Sequence, residues 1–318
     1  MKSVNDTIFR RAEQFAQREF SADEAVAVGG SVARSGADEF SDIDLTIFRA
    51  DDSADRNVDD SGYIIQLHFE RLPDVVQVLQ NPWAFRFLDE MKIISDRNGR
   101  LKSLQHAASS FFHSAPGRAR MIAEVRRLVQ ERLAASRRLF ESQRALSATH
   151  AAMGAWSEAA FLRLYLQEGS LSTDRLIPFS RQDRLRFEAF QHCSSICTAG
   201  CARDFSPVLH ELRHFLSARG VNAPFDLDPL QEMLVRQKNC RLLRAGDPFA
   251  LRWQMYGEAL WLCFAADQPF EPLYASFPAK LKCGLSAIGF RALSERKLAE
   301  LCRLSRAMID APMNADEM

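Results

Sequence analysis

The chain has 318 residues, with 41 lysines and arginines balanced by 41 aspartates and glutamates, and it is 47% hydrophobic and 26% charged. Such a composition describes a globular protein and excludes collagen-like, disordered and membrane-spanning classes; at this length two domains are expected. No run of about 18 apolar residues occurs, and the N-terminal MKSVNDTIFRRAEQFAQREF carries charges where a signal peptide has an apolar stretch. Seven cysteines, an odd number confined to Cys193–Cys302, read as reduced thiols rather than a disulfide framework. A cytoplasmic protein is therefore expected, with no membrane partner.

In chain order, Ile8, Ala12, Phe15 and Ala16 recur at helical spacing and predict an opening helix over 5–19. Ala25–Val28 reads as a strand that breaks at Gly29-Gly30 into a tight turn and a short helix, Ser31 to Gly36. Ile43–Phe48 and Tyr63–Phe69 are the next two strands, with an acidic loop over 49–62 between them. Met91–Ser95 is the fourth, closed by the turn signal Asp96-Arg-Asn-Gly99. From His106 the pattern changes to long Arg/Leu/Ala-rich helical segments at 117–145, 146–168, 183–199, 206–219, 226–244, 247–266 and 290–310. The expected architecture is an α/β (α+β) domain with a mixed sheet over 1–105, followed by a larger all-α domain over 106–318.

Zero net charge conceals polarity along the chain. Between residues 37 and 60 lie nine acids and two arginines, a density that attracts cations or simply a solvated loop. Between 112 and 145 lie eight arginines and three glutamates, which attract anions or form a solvated helix face. Because those arginines alternate with glutamates and the whole chain is neutral, a nucleic-acid partner is not expected.

The stretch from Val26 to Phe48 carries the chemistry. On a strand, Asp42 and Asp44 project from one side roughly 7 Å apart at the backbone, with Ile43 and Leu45 behind them. Two carboxylates on one face repel unless a cation lies between them, and Mg²⁺ suits a few carboxylates completed by water and phosphate oxygens. Upstream, Gly29, Gly30 and Ser31 at a strand-to-helix turn let the backbone approach phosphates closely and supply N–H and hydroxyl donors.

Gly30-Ser31, ten residues, then Asp42-x-Asp44 resembles the signature of the polymerase-beta-type nucleotidyltransferase superfamily, in its minimal and antibiotic-modifying forms. The similarity extends through Gly30-Ser-Val-Ala-Arg-Ser-Gly36 and Ser41-Asp-Ile-Asp-Leu45, and more loosely to Ile94–Leu101, about a third of the chain. The resemblance implies transfer of a nucleoside monophosphate from an NTP, ATP being the expected one, to an acceptor hydroxyl or phosphate with release of pyrophosphate. Asp42 and Asp44 would hold Mg²⁺, and Gly29, Gly30 and Ser31 the phosphates. Arg34 would either contact the phosphates or pair with nearby acids.

The resemblance also implies a third carboxylate on the next strand, and here the sequence departs. One face of Ile64–Glu70 carries Ile64, Gln66, His68 and Glu70; the third acid is expected at Gln66 or His68, yet Glu70 is the only carboxylate. His68 is a candidate general base. In antibiotic-modifying relatives a helical domain supplies the acceptor pocket and sometimes a base, which makes Glu158 a candidate. The acceptor is then a small molecule such as an antibiotic or secondary metabolite. The alternatives are a protein or tRNA acceptor, as in toxin–antitoxin nucleotidyltransferases, and a catalytically weak nucleotide-binding regulatory module.

Three further patterns are read as coincidences of helix packing. His210-Glu-Leu-Arg-His214 matches a zinc-hydrolase motif without a third ligand. Cys193, Cys197 and Cys201 recur at the spacing of one helix face. Phe249, Trp253, Tyr256, Trp261 and Phe264 read as helix core.

Overall fold

The computed structural model describes residues 3–21, 23–51, 53–196 and 202–311. In chain order its elements are α1 (Val4–Glu19), β1 (Ala25–Val28), α2 (Gly30–Ala33), β2 (Ile43–Phe48), β3 (Arg56–Asp60), β4 (Tyr63–Glu70), α3 (Val75–Gln80), α4 (Phe87–Glu90), β5 (Lys92–Ser95) and α5 (Arg100–Phe112). There follow α6 (Ala115–Glu141), α7 (Ala145–Glu168), α8 (Thr173–Ser180), α9 (Arg184–Cys193), α10 (Ser206–Ala218), α11 (Pro229–Ala245), α12 (Pro248–Ala265), α13 (Phe270–Ser276), α14 (Ala279–Ile288) and α15 (Glu295–Asp310). The chain divides into two compact units, Met1–Met121 with Pro224–Lys238, and Ile122–Ala223 with Asn239–Met318.

The first unit is built on a mixed five-stranded sheet in the order β3-β4-β2-β1-β5. β2 and β4 run parallel, while β1 pairs antiparallel with β2 and with β5, and β3 antiparallel with β4. The parallel pair sets the site: Asp44 lies beside Gln66, Thr46 beside His68 and Phe48 beside Glu70. Strand β2 alternates as its sequence demands, with Ile43, Leu45 and Ile47 fully buried and Asp44 and Thr46 partly exposed on the other face. Helix α1 opens with a capping box in which the Ser3 hydroxyl accepts from the Asp6 N–H and the Asp6 carboxylate from the Ser3 N–H. Its Ile8, Ala12, Phe15 and Ala16 stripe packs on the sheet core with Val26, Val28 and Leu45.

Part of the expected acidic loop, Arg56–Asp60, is a strand. β3 and β4 form a hairpin across Ser61 (φ 56°) and Gly62 (φ 87°), two left-handed residues that match the twist of a two-residue hairpin. Asp59 Oδ1 accepts from the Gly62 N–H at 2.7 Å and fixes the turn. Two of the surrounding acids are paired: Asp60 meets Arg11 at 2.7 Å and Arg18 at 3.0 Å, and Asp51 meets Arg49.

The change of composition near residue 105 does not coincide with the edge of the first unit. Leu101, Leu104, Ala108 and Phe112 form the buried stripe of α5, and Gln105 Nε2 donates to the carbonyls of Leu88 at 2.9 Å and Met91 at 2.7 Å. These contacts tie α5 to the sheet's unit. Residues 224–238 join the same unit from far along the chain.

The second unit is helical. α7 is buried nearly all round, through Ala148, Ala152, Ala155, Trp156, Ala159 and Leu162, as expected of a central helix, and α15 packs against α7 and α9. Trp156 stacks face to face on Phe190 at 3.5 Å. Buried His150 shares a proton with the Tyr256 hydroxyl at 2.5 Å, and burial pushes its imidazole down to about 3. Some arginines of the basic segment are paired, Arg127 with Glu131 at 2.7 Å and Arg144 with Glu271 at 3.2 Å.

The aromatic run is core only at its start. Phe249 and Tyr256 are buried, but Trp261 and Phe264 are 64% and 58% exposed, because α12 turns that face outward. Cys193 ends α9 with its thiol buried and pushed up to about 12; Cys197 and Cys201 lie outside the described residues. His210 and His214 stand on α10, with buried Arg213 between them. Among the described residues no helix is long and apolar enough to cross a membrane.

Since Leu45 is fully buried at the centre of the sheet, Leu45→Ala should destabilise the protein by about 2–5 kcal/mol through lost burial and a residual cavity. Chemical denaturation checks this; a loss well under about 1 kcal/mol would mean that this core is not packed as described.

Candidate active site

The turn after β1 is locked onto the strand that bears the acids. The Gly29 N–H donates to the Asp44 carbonyl at 2.8 Å, extending the β1–β2 pairing by one bond. Gly30 then takes φ 61°, and a Cβ there would stand 1.9 Å from Asp44 Oδ2. Both the left-handed backbone and the close carboxylate therefore demand glycine. Ser31 follows in the first turn of α2, and its carbonyl accepts from the Gly36 N–H at 2.9 Å, which closes the loop.

Around the two aspartates the structure gathers groups from three distant parts of the sequence. Gln66, 7% exposed, sits between the carboxylates and two further amides. With its nitrogen turned to the amides it donates to Asn57 Oδ1 at 3.2 Å and Gln231 Oε1 at 2.6 Å, and its oxygen faces the carboxylates. With the amide turned over, the nitrogen donates to Asp42 Oδ2 at 3.3 Å and Asp44 Oδ1 at 3.0 Å. Asn57 in turn donates to the Phe225 carbonyl at 3.3 Å. Lys238 places its ammonium 3.9 Å from Asp42 Oδ2.

Burial pushes the Asp44 carboxyl up to about 6, and the Asp42 charge adds to the shift; Lys238, His68 and Arg34 oppose it. A carboxylate held among anionic oxygens in this way favours either a proton or a cation. In the first amide orientation, Asp42, Asp44 and Gln66 present an all-oxygen set, the donor chemistry of a hard divalent ion. Among the described residues no three His, Cys, Asp or Glu side chains converge, so such an ion has two carboxylates and must take its remaining donors from the Gln66 amide, water or substrate.

The remaining candidates distribute as follows. Gln66, directly beside Asp44, occupies the position on β4 nearest the aspartates, and Glu70 lies four residues further along, roughly 13 Å by strand rise. Glu70 is exposed, its carboxyl pushed up by partial burial and by Asp55. His68 lies between them in register, and its Nδ1 meets Asp55 Oδ2 at 2.9 Å. Asp55 Oδ1 also accepts from the Phe69 N–H at 3.0 Å, and the Phe225 ring lies 5.4 Å from the imidazole. Arg34 pairs with Glu90 at 3.0 Å, an acid remote in sequence. Glu158 belongs to the second unit, where it pairs with Arg132 at 3.1 Å.

Asn57, Asp55, Gln231 and Lys238 were not expected at this site. Asn57 and Asp55 lie in what reads as a polar loop, and nothing in the sequence links the 224–238 segment to a strand some 170 residues earlier.

The raised Asp44 carboxyl has a consequence for stability. In the folded state it holds its proton to about pH 6, whereas in the unfolded chain it titrates near 4. The metal-free protein therefore has a stabilising contribution that is complete below about pH 4 and is lost as pH rises through about 6. Asp44 is partly exposed, so solvent screening holds this to about 1–2 kcal/mol. Asp44→Asn should abolish that fall and leave the protein more stable than wild type at neutral pH in chelator. Melting curves across about pH 4–8 test it; parallel pH profiles for the two proteins would contradict it.

The profile of the nucleotidyltransferase domain family matches residues 9–103, a span that contains all five strands, the Gly30-Ser31 turn and both aspartates. Among solved structures, the chain is similar to a nucleotidyltransferase-like protein from Exiguobacterium sibiricum 255-15, with 14% identity, 84% of this chain and 82% of that chain covered, and a TM-score of 0.31. No curated protein matches the sequence. The family match falls on the segment whose glycine turn backs directly against the paired aspartates, and the chain thus carries, at residues 9–103, a nucleotidyltransferase domain of the polymerase-beta-type superfamily.

Proposed function

We propose that the protein transfers a nucleoside monophosphate from Mg²⁺-bound ATP to a hydroxyl of a small-molecule acceptor. The observation that carries this reading is the Gly29–Asp44 backbone bond, which joins the phosphate-binding turn to the carboxylate pair within one rigid corner of the sheet. The reading assigns Asp42 and Asp44 to the metal, and Gly29, Gly30, Ser31 and Lys238 to the triphosphate. A divalent cation, when bound, neutralises charge between the carboxylates and the phosphates.

The chain's own groups do the rest. Backbone N–H groups of the turn and the Ser31 hydroxyl donate to phosphate oxygens and hold the triphosphate for in-line attack at the α-phosphorus. The acceptor oxygen forms the new bond to that phosphorus as the bond to the bridging oxygen breaks, and pyrophosphate leaves. With Asp55 Oδ2 accepting a hydrogen bond from the His68 Nδ1–H, the Nε2 nitrogen carries the lone pair and is equipped to take the acceptor's proton. Gln66 has no proton affinity of use; its amide offers an oxygen to a bound cation in one orientation and donates to the aspartates of the metal-free site in the other. Glu70 remains a secondary candidate for the base, and Arg34 for a phosphate contact; Glu158 is held by Arg132 within the second unit. The balanced charge of the chain favours a small acceptor over tRNA.

One observation favours a second reading. Gln66 beside Asp44 leaves a site with two carboxylates, a set that suits nucleotide binding with weak or no transfer, as in a regulatory module.

Incubation with α-labelled ATP and fractionated lysate separates these readings. Label is expected in a small molecule, reduced about a hundredfold or more in Asp44→Asn through lost charge stabilisation. Ser31→Ala should be milder, costing about 0.5–3 kcal/mol in nucleotide affinity. His68→Gln should lower the rate by about 10²–10⁴-fold with little change in nucleotide affinity. Label in RNA or protein would overturn the acceptor class, and no transfer despite binding would favour the regulatory reading.

A further inference from the structure

The second unit contains a cavity of about 230 Å³ that the nucleotidyl-transfer site does not use. Its apolar walls are Trp156, Phe179 and Phe187, from α7, α8 and α9. These rings are held in place from behind. Trp156 is stacked on Phe190 at 3.5 Å and meets Trp253 edge-on at 5.3 Å, while Phe187 meets Phe249 edge-on at 5.3 Å. The walls are thus preformed, which lowers the ordering cost of binding.

Charge in the cavity is unbalanced. Arg163 and Arg186 both line it, with Asp183 as the acid between them. Asp183 is already committed: Oδ2 pairs with Arg186 Nη1 at 3.0 Å and Oδ1 caps α9 by accepting from the Arg186 N–H at 3.2 Å. The nearby Glu168 is committed as well, to Arg175 at 2.8 Å and Gln182 at 3.4 Å. Arg163 Nη1 is shielded from solvent and has no hydrogen-bond partner among the described residues. Burial and the Arg186 charge both work against the Arg163 cation, with Asp183 opposing them. Nη1 itself is closed off, so it is the rest of the Arg163 guanidinium, where the residue lines the cavity, that gains from a carboxylate, which accepts two parallel hydrogen bonds.

We propose that this cavity is a binding site for a small planar aromatic carboxylate, with the ring between the aromatic walls and the carboxylate on Arg163. Size limits the ligand: a dry cavity of about 150 Å³ accommodates benzene, so this one admits a single ring with its acid group. A bare inorganic anion gains nothing from the aromatic walls and would trade its hydration for little more than the Arg163 charge. The inference concerns the helical unit alone and does not depend on nucleotide transfer.

Calorimetric titration of the full chain, without nucleotide, with benzoate, benzamide and inorganic phosphate tests it. Benzoate should bind with 1:1 stoichiometry and a Kd on the order of 1 mM or tighter, as its nine heavy atoms permit. Benzamide, the uncharged isostere, should bind about tenfold more weakly or worse, and phosphate should not compete. Arg163→Met should weaken benzoate about tenfold or more, with its melting curve recorded to establish that it folds. Absence of benzoate binding at about 10 mM, equal affinity for benzamide, competition by phosphate, or an unchanged affinity in a folded Arg163→Met protein would each overturn the proposal. The wild-type comparison of benzoate with benzamide decides the matter even if the variant does not fold.

Discussion

The repulsion between Asp42 and Asp44 is the interaction on which the first unit is arranged. Two carboxylates on one side of a buried strand destabilise a metal-free protein, and the structure surrounds them with groups that ease the conflict without removing it. Lys238 stands 3.9 Å from Asp42, Gln66 can turn its amide nitrogen to both, and burial leaves Asp44 with a carboxyl at about 6. The Gly29–Gly30 turn presses against the same carboxylate, so a side chain at Gly30 is forbidden both by its φ of 61° and by the 1.9 Å approach. A site strained in this way is poised for a cation, and the strain is contained because Ile43, Leu45 and Ile47 anchor the strand in the core.

Gln66 is where this domain parts from the pattern it resembles. A third carboxylate beside Asp44 would deepen the repulsion, whereas an amide satisfies its neighbours through Asn57 and Gln231 and adds no charge. The same amide chain, continued by Asn57 to the Phe225 carbonyl, ties residues 224–238 to the sheet. Stability of this segment and geometry of the site are therefore one network, and a change in Gln66 acts on both.

The parts legible in the sequence were those with strong local signals. β2 declares itself by Ile43, Leu45 and Ile47 alternating with Asp44 and Thr46, and the Gly29-Gly30-Ser31 turn by its punctuation of two strands. β3 was hidden because an edge strand rich in acids has no alternation to see; its Asp59 and Asp60 read as loop, yet they fix a hairpin turn and pair with α1. α5 read as the start of the helical domain, since helical periodicity says nothing about which core a helix serves. Lys238 and Gln231 were illegible in principle, because only the fold brings them to Asp42 and Gln66 from so far along the chain. The identity of Asp55 as the partner of His68 fails for the same reason: a carboxylate in an acidic run is distinguished only by what it touches.

The central claim is that the aspartate pair accepts a divalent cation together with the triphosphate. Calorimetric binding of a non-hydrolysable ATP analogue, with and without Mg²⁺, measures this on wild type and on the Asp42→Asn, Asp44→Asn double variant. The account predicts that Mg²⁺ tightens binding by about tenfold or more in wild type, and that the advantage vanishes in the double variant while metal-free binding holds or improves. Equal affinity with and without Mg²⁺ in wild type, or an undiminished Mg²⁺ effect in the double variant, would contradict it.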